Sequence, residues 1–295
     1  DPSKANHIAA LASDGEHWGV AWIELSTGTF SACRVKDSEL AKLLVKVDPR
    51  EIVYSDAESD AAQARVTGIE AQYACALSEV QDWNFAQKQA LDALKQHFKV
   101  ATLAGYGLAD KGPQVRAAGA LLGYVKEQQR NELAHITAIE AVKLGDSMAL
   151  DRATVEALEL ITTLRGKERK HTLLWAMDRC VTSMGSRQLR DWLLNPLLEP
   201  KRIRMRHAAV EELAHGARRR DLIREAIQSG GDLERLSGRI GCRRATPRDL
   251  VALAAALSRV PLVLNALAGV ECTLLEEIRR RLDPCPDAVS YIRTA

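Results

Sequence analysis

Aromatic residues are scarce in this chain, at 4% of 295 residues, and only three are Phe. Base-stacking platforms, which need interleaved aromatics, therefore have little to be built from. The six cysteines, Cys33, Cys75, Cys180, Cys242, Cys272 and Cys285, show no C-x-x-C spacing. That argues against a zinc ribbon or a disulfide framework and for buried thiols in a reducing cytosol. A phosphate loop is missing: Gly166-Lys167 is the single Gly-Lys pair, Glu168 follows it, and Ile161 stands where the earlier glycine belongs. Gly105-Tyr106-Gly107 lacks a third glycine at Asp110, which removes a dinucleotide fingerprint. No signal-peptide pattern is visible in the opening residues. The first residue is Asp1 rather than Met, which suggests a piece of something longer. The longest apolar run, Leu250 to Val270, is interrupted by Arg259, Pro261 and Asn265. Arg near a bilayer centre costs about 3 kcal/mol, so the run reads as two buried helices meeting near Pro261, with no membrane partner.

What the chain does hold is an uneven charge. Residues 1–140 carry 14 Lys+Arg and 19 Asp+Glu, or −5, and residues 141–295 carry 27 and 20, or +7. Basic residues change from 9 Lys and 5 Arg to 4 Lys and 23 Arg, and aromatics fall from 10 to 3. Domains average roughly 150 residues, so these shifts predict two domains, 1–140 and 141–295.

The first part alternates strands with helices. Strands are predicted at His7–Ala12, Trp18–Leu25, Thr29–Val35, Glu51–Tyr54 and Ile69–Leu77. Ser26-Thr27-Gly28 has the composition of a three-residue hairpin loop with glycine in the left-handed region. Helices are predicted at Ser38–Val47, stopped by Asp48-Pro49, and near Ala57–Val66, Asn84–Phe98 and Gln114–Arg130. Pro113 suits the first position of the last one, where a missing N–H costs nothing. A meander followed by alternating helices and strands predicts a ribonuclease H-like mixed sheet, an α/β domain ahead of an all-α one.

The second part reads as helices. Asp151 is placed to cap a helix, with Leu150 packing on Val155 as a staple and Leu158 and Ile161 continuing the apolar side. Gly230-Gly231 ends a helix and Asp232 starts the next. Thr246-Pro247-Arg248-Asp249 combines a capping hydroxyl, a first-turn proline and a first-turn carboxylate. Leu250, Leu253, Ala254 and Leu257 then form a stripe, and Asp283-Pro284-Cys285-Pro286 breaks the last helices.

Catalytic chemistry is hard to place. A two-metal nuclease needs carboxylates converging from the sheet. The first strand offers none, and only Asp56 and Glu24 lie near strands, which leaves a metal-dependent nuclease as the alternative reading. His207, Glu211 and His215 share a helix face, but the histidines lie about 12 Å apart along the axis, too far for one ion. The Arg runs 218–220, 243–244 and 279–281 suit phosphate contacts or a solvated face.

Leu173 to Pro196 carries the clearest pattern. Asp178 and Arg179 close one helical segment, and Thr182 caps a second. Met184, Gln188, Leu189, Trp192 and Leu193 follow at three- and four-residue spacing, with Gly185 and Arg187 in the first turns and Asn195-Pro196 as the stop. This stretch closely resembles the opening of the core domain of the MutS DNA mismatch-repair family. Leu103–Tyr124 is similar to the end of that family's connector domain. Leu150-Asp151-Arg152-Ala153-Thr154 with Leu158-Glu159-Leu160 is similar to the start of its core. Gly231-Asp232-Leu233-Glu234-Arg235 and Arg244-Ala245-Thr246-Pro247-Arg248-Asp249-Leu250 resemble a second core signature. Val155-Glu156-Ala157 departs from the basic pair and Asn usual in the family.

The resemblance implies a connector domain plus the first part of the helical core, or lever, domain. Asp151, Thr154, Leu158, Asp178, Thr182, Met184, Gly185, Arg187, Trp192, Pro196, Asp232, Leu233, Arg235, Pro247, Arg248 and Asp249 would be structural signature residues, with no catalytic, cofactor or metal residue in this piece. The family's Phe-x-Glu mismatch reader is missing: Ala32, Gln87 and Val100 stand two residues after Phe30, Phe85 and Phe98. The clamp and the ATPase domain, with its ATP and Mg, would lie elsewhere in the full-length protein, as would the surfaces that make it a homodimer. Partners implied are mismatched double-stranded DNA through the full-length protein and MutL on the connector surface. The expected location is the bacterial cytoplasm, in association with the nucleoid.

Overall fold

The computed structural model describes residues 6–73, 75–130, 132–142, 145, 147–148, 150–166, 168–228 and 230–294. The chain divides into two compact units. One runs through Gly145 and takes in Leu150 to Leu158; the other is Glu159 onward with residues 147–148.

The first unit is built on six strands: β1 His7–Ser13, β2 His17–Glu24, β3 Thr29–Lys36, β4 Glu51–Ser55, β5 Ala76–Val80 and β6 Glu140–Ala141. Their order in the sheet is β5-β4-β1-β2-β3-β6. Neighbours run parallel except β2, which is antiparallel to β1 and β3. This is the expected mixed ribonuclease H-like sheet. Helices α1 Asp37–Val47, α2 Asp60–Tyr73, α3 Gln87–Phe98, α4 Pro113–Gln129 and α5 Arg152–Ala157 belong to the same unit.

Strand alternation puts successive side chains on opposite faces, and both faces are covered. Ala10, Ala12, Ala21, Ile23, Phe30 and Ala32 pack with α3 and α4. Ala9, Leu11, Val20, Cys33 and Val35 pack with α1 and α2. Two glycines set how closely the α4 layer lies. A Cβ on Gly19 would come within 1.9 Å of the Pro113 carbonyl carbon, and one on Gly119 within 2.3 Å of the Ala90 Cα. Gly19 thus admits the first turn of α4 onto β2, and Gly119 admits α3 onto α4.

Several predicted elements shift. Ile69 belongs to α2 rather than to a strand, because Ala62, Val66 and Ile69 recur at helical spacing and all are buried. The hairpin loop is Leu25–Gly28, one residue longer than expected. Gly28 has φ +78° and donates its N–H to the Glu24 carbonyl at 2.9 Å. The helix expected from Asn84 divides at Ala86, whose backbone is extended, into a 3-10 turn Asp82–Phe85 and α3. β6 had no sequence signal, being two residues long. It lies across the boundary drawn at residue 140, and α5 packs on α1, so the first unit extends to Leu158.

The second unit is helical: α6 Leu173–Met177, α7 Ser183–Leu194, α8 Pro200–His215, α9 Ala217–Gln228, α10 Leu233–Gly241, α11 Pro247–Leu257, α12 Val260–Ala266, α13 Thr273–Arg281 and α14 Pro286–Thr294. Pro247–Ala266 is long and apolar enough to cross a membrane by length and composition. The expected pair of helices is there, separated at Ser258-Arg259, but the pair is not buried as expected. Ala254, Ala256 and Val260 are buried, whereas Leu250, Val251 and Leu262 are exposed.

Candidate functional site

The sites expected of an enzyme dissolve into structural roles. Glu24 is 2% exposed; its carboxylate accepts from the Ser26 hydroxyl at 2.7 Å and from the backbone N–H of Thr27 at 2.6 Å and Asn6 at 3.1 Å. It holds the β2–β3 loop. Asp56 accepts the Asp82 N–H at 2.8 Å. The register pairs Glu24 with His7 at the start of β1, while Asp56 follows the end of β4, which runs parallel to β1. The two carboxylates therefore sit at opposite ends of the sheet, too far apart to converge on a metal pair as the nuclease alternative requires. Among the described residues no group of three or more His, Cys, Asp or Glu is arranged to hold a metal, His207, Glu211 and His215 included.

Cys33 and Cys75 are buried as expected, and burial pushes the Cys33 thiol up to about 12; Cys180 is exposed instead. The Arg runs are partly consumed internally. Arg219 reaches Glu212 at 2.8 Å and the Ala268 carbonyl at 3.3 Å. Arg279 and Arg280 bind Glu276 at 2.7 and 3.0 Å, and these bonds hold the Glu276 carboxyl down at about 2.

The most organised polar site lies around α7. Thr182 caps this helix, its hydroxyl accepting the Gly185 N–H at 3.1 Å. One turn in, Arg187 is only 10% exposed and makes a two-pronged contact with Asp232, at 2.7 and 3.0 Å. The same guanidinium reaches Glu234 at 2.5 Å. Ser183 donates its hydroxyl to Asp232 at 2.8 Å, and Asp232 also accepts the Arg235 N–H at 3.3 Å as the N-cap of α10. Burial disfavours the Asp232 charge, yet the bonds from Arg187, Ser183 and Arg235 outweigh it and hold the carboxyl below the usual range. On the other side Arg187 loses by burial, but less than it gains from the Asp232 hydrogen bonds, which raise it. Two-pronged Arg–carboxylate geometry adds direction as well as strength.

A second joint flanks the first. Asp178 accepts from Arg169 at 2.6 Å, from the Ser186 hydroxyl at 3.1 Å and from the Cys180 N–H at 3.1 Å. At the far end of α7 the Arg206 guanidinium of α8 lies 3.9 Å from the centre of the Trp192 ring, a cation–π contact. Thr246 and Asp249 form a reciprocal cap on α11, with Pro247 in the first turn, and Arg239 of α10 binds Asp249 at 3.0 Å.

The sixteen signature residues thus separate. Arg187, Asp232 and Arg235 come together, and Asp178, Thr182 and Gly185 frame the same helix start. Leu233 and Met184 are half-buried, and Arg248 is exposed. The Pro196 carbonyl accepts the Met148 N–H at 2.7 Å. Asp151 caps α5 as expected, accepting the Thr154 N–H at 2.8 Å, but they stand in the first unit. Leu158 does not continue an apolar side. It is 61% exposed, because α5 stops and Glu159 turns into the left-handed region at φ +45°. The α7 stripe also shifts: Gln188 and Trp192 are exposed and Leu194 is buried. The sixteen leave out Ser183, Glu234, Arg169 and Arg239, which bond across 9 to 49 positions and carry no local periodicity.

Comparison with known proteins matches this arrangement. The family model for MutS domain II covers residues 6–137, and that for MutS domain III covers 153–293. The DNA mismatch repair protein MutS of Symbiobacterium thermophilum is 38% identical over 299 residues, covering 100% of this chain and 34% of that protein. Its namesake from Lachnoclostridium phytofermentans is 34% identical, covering 99% of this chain and 31% of its own length. The one from Synechococcus elongatus is 36% identical, with 93% and 32% covered. The chain spans about a third of the length of the curated relatives it matches. A mixed-sheet unit followed by a capped, Arg-bridged helical unit, each matched in order by its own domain model, makes this chain a member of the MutS family of DNA mismatch repair proteins.

Proposed function

We propose that the chain is the connector domain and first core segment of a mismatch-repair protein. In this reading the full-length protein recognises mismatched double-stranded DNA and uses ATP to become a sliding clamp that recruits MutL. It acts as a homodimer through surfaces outside this chain, in the bacterial cytoplasm on the nucleoid. The chain itself relays conformational change between the mismatch, clamp and ATPase domains, and its sheet unit offers MutL a docking surface. It holds no ATP, Mg or catalytic group of its own. The observation that carries the reading is the ordered match of two successive MutS domain models to the sheet unit and the helical unit. The polar joints of α7, α10 and α11 support a relay, because directional ion pairs between helices shift as discrete states rather than deforming continuously.

The test uses the purified chain. It is expected to hydrolyse no ATP, to show no preference for mismatched over matched duplex, and to bind a MutL N-terminal domain at micromolar concentration. ATP hydrolysis that survives purification overturns the fragment reading. No MutL binding at high micromolar concentration overturns the docking role alone.

A further inference from the structure

Apart from α6 with α7, the closely packed helix pairs of the second unit fall into two groups, joined in the chain by Ser258-Arg259 between α11 and α12. One joins α8, α9, α12 and α13; the other joins α10, α11 and α14. Helix α7 belongs to neither and meets each through side chains. Its first half reaches α10 by Arg187 on Asp232 and Glu234, and its second half meets α8 by Trp192 under Arg206. Both contacts are polar or cation–π and form at defined angles. Leu194, the buried leucine of α7, lies beyond both.

We propose that α7 is a two-latch joint between these helix groups and that Arg187 is its positioning residue. Asp232 has two tasks that are separable in principle. It caps α10, and it receives Arg187. A movement of α10 away from α7 breaks the ion pair and strains the cap together, so the joint resists small displacements and releases as a unit. In a full-length protein, which rests on the relay reading above, this would let a signal entering one helix group be passed to the other or withheld.

Amide hydrogen exchange on the full 295-residue chain tests it, since exchange reports opening helix by helix. Arg187→Met removes the latch. Asp232→Asn keeps a side-chain acceptor for the Arg235 N–H but removes the charge, and Asn caps helices well. Both variants are expected to speed exchange in α10, α11 and α14 about tenfold, leaving α8, α9, α12 and α13 within twofold of the parent chain. Arg187→Lys, which keeps the charge without the two-pronged geometry, is expected to give an intermediate effect. Uniform acceleration across all helices of the unit overturns the joint and makes Arg187 a plain stabiliser. Acceleration confined to the first turn of α10 overturns it and leaves only a cap. If Arg187→Met fails to fold, the Asn and Lys variants decide by the same two patterns. A second arm separates the joint from the relay reading: full-length protein carrying Asp232→Asn should bind a mismatch within twofold of normal but lose about tenfold of its mismatch-triggered nucleotide response. A normal response with the expected exchange pattern keeps the joint and overturns its use in signalling.

Discussion

The two units are held together by different physics. In the sheet unit Leu11, Ile23, Leu40, Leu44, Phe85, Leu94, Leu121 and Leu122 are all fully buried, on two faces of one sheet. In the helical unit four of the ten buried apolar residues among those described are alanines, Ala209, Ala226, Ala254 and Ala256. Among the described residues, every exposed large hydrophobic residue apart from Trp83 and Leu158 belongs to that second unit. Burial of large side chains is worth about 1.5–3 kcal/mol each, so the sheet unit carries its own stability. The helical unit relies more on caps and ion pairs, which fix direction better than they add free energy. The difference teaches which part is a rigid platform and which part has discrete joints.

The largest expected effects test the platform. Leu121→Ala in the sheet core should lower stability by about 3–4 kcal/mol, whereas Leu262→Ala, 48% exposed on α12, should cost under about 1 kcal/mol. Urea denaturation of the two variants measures this, and equal losses break the contrast. Next, Arg187→Met leaves Asp232 only the more distant Arg235 guanidinium, at 3.8 Å, and should cost about 1.4 kcal/mol, the equivalent of the tenfold faster exchange expected of α10, α11 and α14. Loss in the sheet unit's transition instead would contradict the division. Thr246→Ala removes one half of the reciprocal cap on α11 and should cost about 1 kcal/mol, with Thr246→Ser recovering most of it.

The smallest effect is in pH. His97 on α3 donates to the Ile136 carbonyl at 2.8 Å, and burial lowers its titration below 6.5. Burial likewise lowers His135, helped by the charge of His97. Both bind protons more readily unfolded than folded, so their contribution is complete above pH 6.5 and falls as pH drops below it. Asp232 is lowered from 3.8, so the α7 joint keeps its contribution above that value and loses it as pH falls further. Urea midpoints between pH 7 and 5 should therefore fall for the sheet unit first. A helical unit that weakens first over that range would reverse the assignment.

Much of this was legible in local pattern. Strand alternation in His7–Ser13, the stop at Asp48-Pro49, and the caps at Asp151, Thr182, Asp232 and Thr246 all act within a few residues. Such interactions depend on spacing along the chain, which the sequence contains outright. The strand expected at Ile69–Leu77 begins only at Ala76, with Ile69 in α2, because a short apolar run looks alike in a strand and in a buried helix. Glu24 and Asp56 looked like free carboxylates until the register placed them at opposite ends of the sheet.

The sequence alone determined the family, the two-part architecture, the cap residues and the lack of a phosphate loop, because each rests on neighbours in the chain. Tertiary structure decided that Arg187 meets Asp232 and Glu234, 45 and 47 positions away. It also decided that α5 packs on α1 and that Leu158, Leu250 and Trp192 face outward. The physical reason is that a helix pattern says which side chains share a stripe, while burial and ion pairing depend on which other helix arrives to cover it.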